Sequence, residues 1–281
     1  MESEKNLLAD GTFSKGFKLK GLNSIRDGHN PIKLFKRGDD TPDWFLCQWN
    51  SRYNLSNGEF TVTDDGYSIS DKSKTLKVKN GGGLEFNLKA SLEYDAPRGA
   101  TDPWPHLLVE QEITENNQIK DLKKIECQAE FSLAEFKDCM GEAKKEHHTV
   151  QFVWVVTFKD NNPDSQSFGN FIWVVLCPFD LRFEYAPLFT KQDMALPDGE
   201  FIYSFCGKDF MDKPMKIGET VKINFDLYGK LPQILNCAQN NGFMKGSKLN
   251  DLVISSTNMG FEITGTFDCK VTVDNMKINI L

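Results

Sequence analysis

Several absences narrow the field before any residue is singled out. Seven cysteines, Cys47, Cys127, Cys139, Cys177, Cys206, Cys237 and Cys269, are scattered along the chain with no CxxC pair. That spacing argues against a disulfide framework or a zinc knuckle and for buried free thiols. No apolar run is long enough to span a bilayer, so no membrane partner is expected. Met1 to Asp10 lacks the apolar core of a signal peptide, which points to the cytoplasm unless a signal has been trimmed away. Basic charge is in short supply: 33 Lys and Arg stand against 40 Asp and Glu, a formal net charge of -7. Nucleic acid is therefore not an expected partner. Nucleotide and hydrolase signatures are missing too: no P-loop, no GxGxxG after a strand, no GxSxG. The NGGG at Asn80 to Gly83 has no helix after it to complete a phosphate cradle. No repeat, low-complexity tract or linker divides the chain, so residues 1–281 are expected to form one domain.

What is present favours strands. The chain holds 22 Phe, 5 Trp and 6 Tyr, and aromatic residues suit a pleated, half-buried surface. The clearest stretch is the last, FEITGTFDCKVTVDNMKINIL from Phe261 to Leu281. Phe267, Cys269, Val271 and Val273 point one way and Asp268, Lys270, Thr272 and Asp274 the other, a period of two. A strand that ends a chain must pair with earlier ones, and Asn6 to Phe17 is its expected partner. TVQFVWVVTF (Thr149–Phe158) and NFIWVVL (Asn170–Leu176) are near-continuous apolar runs. They read as a central hairpin buried on both faces, with Trp154 and Trp173 in the core. Leu181 to Tyr185 reads as another short strand, and Ala134 to Lys145 as a helix or loop. One helix is expected, at 231–239. Leu231, Ile234, Leu235 and Ala238 share a face, Pro232 lies in the first turn and Asn241-Gly242 stops it. The expected fold is thus all-β: a two-sheet antiparallel β-sandwich, or jelly roll, with one short helix near 231–239.

Candidate binding residues cluster in three places. The first is Trp104-Pro105-His106, leading into a strand on which His106, Leu108, Glu110 and Glu112 share a face. His106 and Glu110 stand roughly 13 Å apart along such a strand, too far to bond each other but able to line one groove. A Trp held by prolines offers a flat apolar platform to a sugar ring, with His106 and Glu110 beside it for hydroxyls. The plainer account packs Trp104 under the Pro-rich loop 95–105. The second place is Trp44, Trp49, Arg52 and Tyr53, in a region without regular pattern, where an exposed aromatic platform is expected. The third is Arg182 and Glu184, which alternate on LRFEY; a cross-strand ion pair is the simpler reading there. His147-His148 reads as a solvated turn, since no third metal ligand lies nearby.

Both ends of the chain resemble one family. NLLADGTF at Asn6 to Phe13 resembles the N-L-x-x-N-G-x-F opening of galactose-binding-like jelly rolls, which include carbohydrate-binding modules. GTFDCKVTVDNMKI at Gly265 to Ile278 is similar to their closing strand. The resemblance implies a structural calcium held by a carboxylate after the opening Phe and by an Asp in the closing strand. Asp274 matches the second position, whereas Ser14 departs from the first. The length of the middle looks more like a concanavalin-like sandwich, as in lectins, some glycosidases and polysaccharide lyases. Both resemblances imply an oligo- or polysaccharide partner. The leading expectation is a carbohydrate-binding sandwich that reads a glycan on a concave face. A hydrolase or lyase on the same fold is the alternative. Glu110, Glu112 and Glu184 would be its carboxylates, or His106, Tyr185 and Arg182 a lyase cluster, but no tight acidic motif occurs. A structural or protein-interaction domain is the third reading.

Overall fold

The protein's computed structural model describes residues 4–23, 30–99, 102–141, 148–193 and 200–281. Two sheets make up the described chain. One, of eight strands, runs β15 (Thr220–Asp226), β10 (Ile125–Asp138), β17 (Phe267–Ile280), β8 (Leu84–Lys89), β7 (Lys74–Lys79), β6 (Gly66–Ser70) and β5 (Glu59–Thr63). Its remaining strand, β1 (Lys5–Asn6), pairs with the end of β17. The second, of nine strands, runs β13 (Phe189–Asp193), β14 (Glu200–Ser204), β12 (Phe171–Asp180), β11 (Val150–Asp160), β16 (Leu252–Ile263), β9 (His106–Glu112), β4 (Trp44–Cys47), β2 (Gly16–Leu19) and β3 (Lys33–Lys36). Pairing is antiparallel except at β12 with β14 and β2 with β4. The fold is an all-β sandwich of the jelly-roll class. Among the described residues no helix is long and apolar enough to cross a membrane.

The closing strand shows how the alternation becomes a core. Phe267, Cys269, Val271 and Val273 are buried, and the residues between them are half-buried. At Asn275 the backbone enters the left-handed region, with φ 59. There the register against β10 slips between Gln128 and Glu130. The irregularity resets the phase, so Met276, Ile278 and Ile280 also face inward. A single apolar cluster drawn from both sheets fills the sandwich, with Phe86, Phe131, Phe152 and Phe261 meeting edge to face at its centre.

The helix forms where expected, as α2 (Leu231–Asn240), with Leu231, Ile234, Leu235 and Ala238 buried. A second, very short helix, α1 (Ala90–Glu93), follows directly on β8. Three other expectations change. Leu181 to Tyr185 is turn rather than strand, because Asp180 caps it by accepting the Arg182 backbone N–H. The strand β10 runs on through Asp138, where a helix or loop was expected; a register slip between Leu133 and Glu135 turns its polar end outward. Trp44 is not in a loop. It opens β4 and is fully buried, with its indole N–H donating to the carbonyls of Ala9 and Asp10.

Candidate functional site

The two outer faces of the sandwich differ in character. The outer face of the eight-stranded sheet carries ion pairs in the open: Lys270 with Glu135, Lys222 with Glu130, Lys124 with Glu126. The outer face of the nine-stranded sheet carries apolar and aromatic clusters between polar rows. Val153, Val155 and Cys177 form one cluster on it, with Trp173 and Val175 packed alongside. Phe45, Cys47 and Leu108 form another, with Trp49 against it. Successive outward residues on neighbouring strands line up in rows, because side chains alternate across each strand.

One row crosses β12, β11, β16, β9 and the end of β4. Gln151 stands opposite both Asp180 and Glu262, and Glu262 stands opposite His106. The His106 backbone N–H donates to the Trp49 carbonyl, which places Trp49 at the end of the row. Four strand spacings make the row about 19 Å long. Further along the strands comes an apolar floor of Val153, Gly260, Leu108 and Cys47. Beyond the next row, of Val155, Asn258, Glu110 and Phe45, lies a second polar row, with Trp173 opposite Thr157, Thr157 opposite Ser256 and Ser256 opposite Glu112.

Within the first row, Asp180 is sealed and satisfied. It accepts hydrogen bonds from Thr149 Oγ1 (2.8 Å), Gln151 Nε2 (2.8 Å), and Arg182 Nε (2.9 Å) and Nη2 (2.6 Å). Burial pushes its carboxyl up, but the Arg182 guanidinium and the Thr149 hydroxyl outweigh that and hold it below the ordinary value. Three polar groups in the row behave differently. The indole nitrogen of Trp49 and Nδ1 of His106 are buried and have no hydrogen-bond partner. The Glu262 carboxylate is half-buried and, among the described residues, accepts no hydrogen bond. Trp49 and His106 meet edge to face at 5.7 Å, and Trp104 stacks over His106 at 6.1 Å. Buried polar groups are nearly always paired. An indole N–H and an imidazole nitrogen without partners thus lie in one row with the half-buried Glu262 carboxylate.

The remaining expected residues fall as follows. Trp104 and His106 are half-buried at the end of this row. Glu110 shares their face but forms an ion pair with Lys20, whose ammonium lies 4.7 Å from the Phe45 ring. Burial pushes the Lys20 ammonium down, and Glu110, with Cys47 and Glu112, more than offsets it, leaving the group above its ordinary value. Tyr53 is half-buried beneath Lys72, and Arg52 pairs with Asp95 at 3.1 Å. Of the residues expected on an exposed platform, Trp44 belongs to the core and Trp49 and Tyr53 are half-buried. Arg182 bonds Asp180 within the turn rather than a residue on a neighbouring strand; Arg182 and Glu184 do not alternate on a strand, and Glu184 is exposed on the turn. Asp274 lies on β17 beside Gly83, and no group of three potential metal ligands exists among the described residues. The counterpart loop is internally satisfied, since Asp10 accepts bonds from Ser14 and from the Lys15 backbone. The residues present do not fit the implied calcium. His147 lies outside the described residues, and His148 is half-buried with an unpartnered Nδ1.

Sequence reasoning missed Glu262 and Gln151, which look like ordinary polar positions of alternating strands. It also placed Trp173 in the core, whereas Trp173 stacks with Phe171 at 5.9 Å on the outer face. A near-continuous apolar run hides which of its residues face out, and only the register with β11 reveals it.

No protein-family profile matches this chain, and no curated protein matches it. Solved structures do resemble it. A family 12 xyloglucanase from Bacillus licheniformis, in complex with ligand, shares 10% identity over 80% of this chain and 97% of its own, with a TM-score of 0.49. Endoglucanase Cel12A from Rhodothermus marinus shares 8% over 80% and 96%, with a TM-score of 0.44. The catalytic domain of Humicola grisea Cel12A, soaked with a thio cellotetraose, shares 10% over 85% and 93%, with a TM-score of 0.41. The coarse jelly-roll expectation stands; these neighbours are glycoside hydrolases rather than galactose-binding-like modules. At such identities the chemistry of the face rests on its own residues.

Proposed function

We propose that the outer face of the nine-stranded sheet binds a segment of an oligo- or polysaccharide. The observation that carries this is the row of unpartnered polar groups, Trp49 Nε1, His106 Nδ1 and Glu262, set among aromatic rings beside an apolar floor. Sugars present alternating hydroxyls and C–H faces. Hydroxyls would supply the missing donors and acceptors, and the C–H faces would lie on Trp104, Trp49 or Trp173. A row of about 19 Å accommodates several sugar residues.

Hydrolysis is a second reading, favoured by the free carboxylate of Glu262. A glycosidase needs a second carboxylate within about 5–9.5 Å. Glu110 stands four residues from the position opposite Glu262, about 14 Å away, and is bound to Lys20. Asp180 lies two strands from Glu262 but is locked by Arg182. Neither of these carboxylates stands free beside Glu262, so binding is the reading proposed first and hydrolysis the second.

Isothermal titration against a panel of cello- and xyloglucan oligosaccharides tests the proposal. A Kd in the micromolar range that weakens at least tenfold in Trp49→Ala and Glu262→Gln is the expected result. No binding to any member of the panel or to a broader glycan array would refute it. Release of reducing ends that disappears in Glu262→Gln would shift the assignment to the hydrolase.

A further inference from the structure

A cluster of buried charge lies outside this face. Lys74, at the start of β7, and Glu93, at the end of α1, have fully buried side chains and pair at 2.7 Å. Asp71 joins at 2.9 Å. Ser73 ties the three together: its hydroxyl donates to Asp71 at 3.0 Å and to Glu93, and accepts from Lys74 at 3.2 Å. Two further bonds lead to one loop. Lys74 Nζ donates to the Tyr53 carbonyl at 2.9 Å, and Glu93 accepts from the Arg52 backbone N–H. The next residue after Glu93, Tyr94, donates its hydroxyl to the Asn50 carbonyl. Loop 49–54 carries Trp49. The segment that leaves α1 through Tyr94 leads on to Trp104.

Replacing a buried ion cluster with apolar groups often leaves a protein as stable or more so. Charge here is thus a poor way to gain stability and a good way to fix geometry, since its hydrogen bonds are directional. We propose that Lys74, Glu93 and Asp71 are positioning residues that set the Trp49 indole against His106 at the end of the binding row. They hold the loop of one aromatic wall and the root of the other to a single turn of the opposite sheet. Its functional consequence rests on the glycan-binding reading; its structural content does not.

The test therefore has a readout free of ligand. The indole N–H resonances of 15N-labelled protein report each Trp separately, with Trp49 assigned by Trp49→Phe. In Glu93→Gln and Lys74→Met, the Trp49 resonance is expected to shift and its hydrogen exchange to quicken at least tenfold. The Trp154 resonance, tied to Thr257 in the core, should stay. Ile234→Ala, which weakens α2 far from the loop, serves as the control for general destabilisation and should leave Trp49 in place. Tyr94→Phe removes one bond to the loop without touching the buried charge, so it remains usable if the charge variants fail to fold. Where wild-type protein binds an oligosaccharide, the Glu93, Lys74 and Tyr94 variants should bind it about tenfold more weakly. A lowered melting temperature with the Trp49 resonance and exchange unchanged in every folded variant would overturn the proposal. A wild-type protein that binds no glycan would sink the binding assignment and leave the indole test intact.

Discussion

At the scale of single residues, burial and partners separate side chains that look alike in the sequence. Trp44 and Trp49 are five positions apart. Trp44 is fully enclosed and bonded to two carbonyls, whereas Trp49 is half-buried with an orphan nitrogen. Trp44→Ala should lose about 3–5 kcal/mol of stability, read by chemical denaturation. Trp49→Ala should lose less than half as much and show its main effect in glycan titration. Asp180 makes a separate prediction. Its carboxyl sits below the ordinary value when folded, so its contribution is present above the unfolded value near pH 4 and fades as pH falls through the folded value. Asp180→Asn should be less stable than wild type at pH 7. The gap should close below about pH 4, as seen in melts across pH.

At the scale of elements, β16 is the strand on which the face depends. Gly260 sits in it at φ 151, and a Cβ there would lie 2.0 Å from the Leu107 carbonyl. Neither space nor backbone tolerates a side chain. Gly260→Ala should destabilise by about 3 kcal/mol and disturb the pairing of β16 with β9, with faster amide exchange at Leu107 and Val109 as the local reading. The elements also show what could be read beforehand. The closing strand, the β11–β12 hairpin and α2 were legible because their periodicity is strong and local. The strand at Trp44 to Cys47 was not, since all four residues are buried and no alternation remains. Arg182 and Glu184 alternate as a strand would, yet Asp180 captures Arg182 and makes a turn. A local hydrogen bond there outweighs a weak pattern.

At the scale of the whole molecule, the seven cysteines are all free, and four of them, Cys47, Cys127, Cys177 and Cys269, are buried. Burial pushes each of those four thiols up, which suppresses the reactive thiolate. Ellman titration of the unfolded, non-reduced chain should find close to seven thiols. The folded protein should react first at Cys139, Cys206 and Cys237, and slowly or not at all at the rest.

The sequence by itself determined the β class, the helix at 231, the free thiols and the presence of Trp104 and His106 on one strand end. Each depends on neighbours in the chain, on period, capping or spacing, which a single sequence displays. Only the tertiary structure decided which outer face carries the apolar clusters, that Trp44 belongs inside and Trp173 outside, and that Gln151, Glu262, His106 and Trp49 form one row. Those facts depend on register between strands far apart in the chain: Glu262 meets His106 across more than half its length. A one-residue slip would turn each of these side chains to the opposite face, and no local pattern specifies where strands so distant will meet.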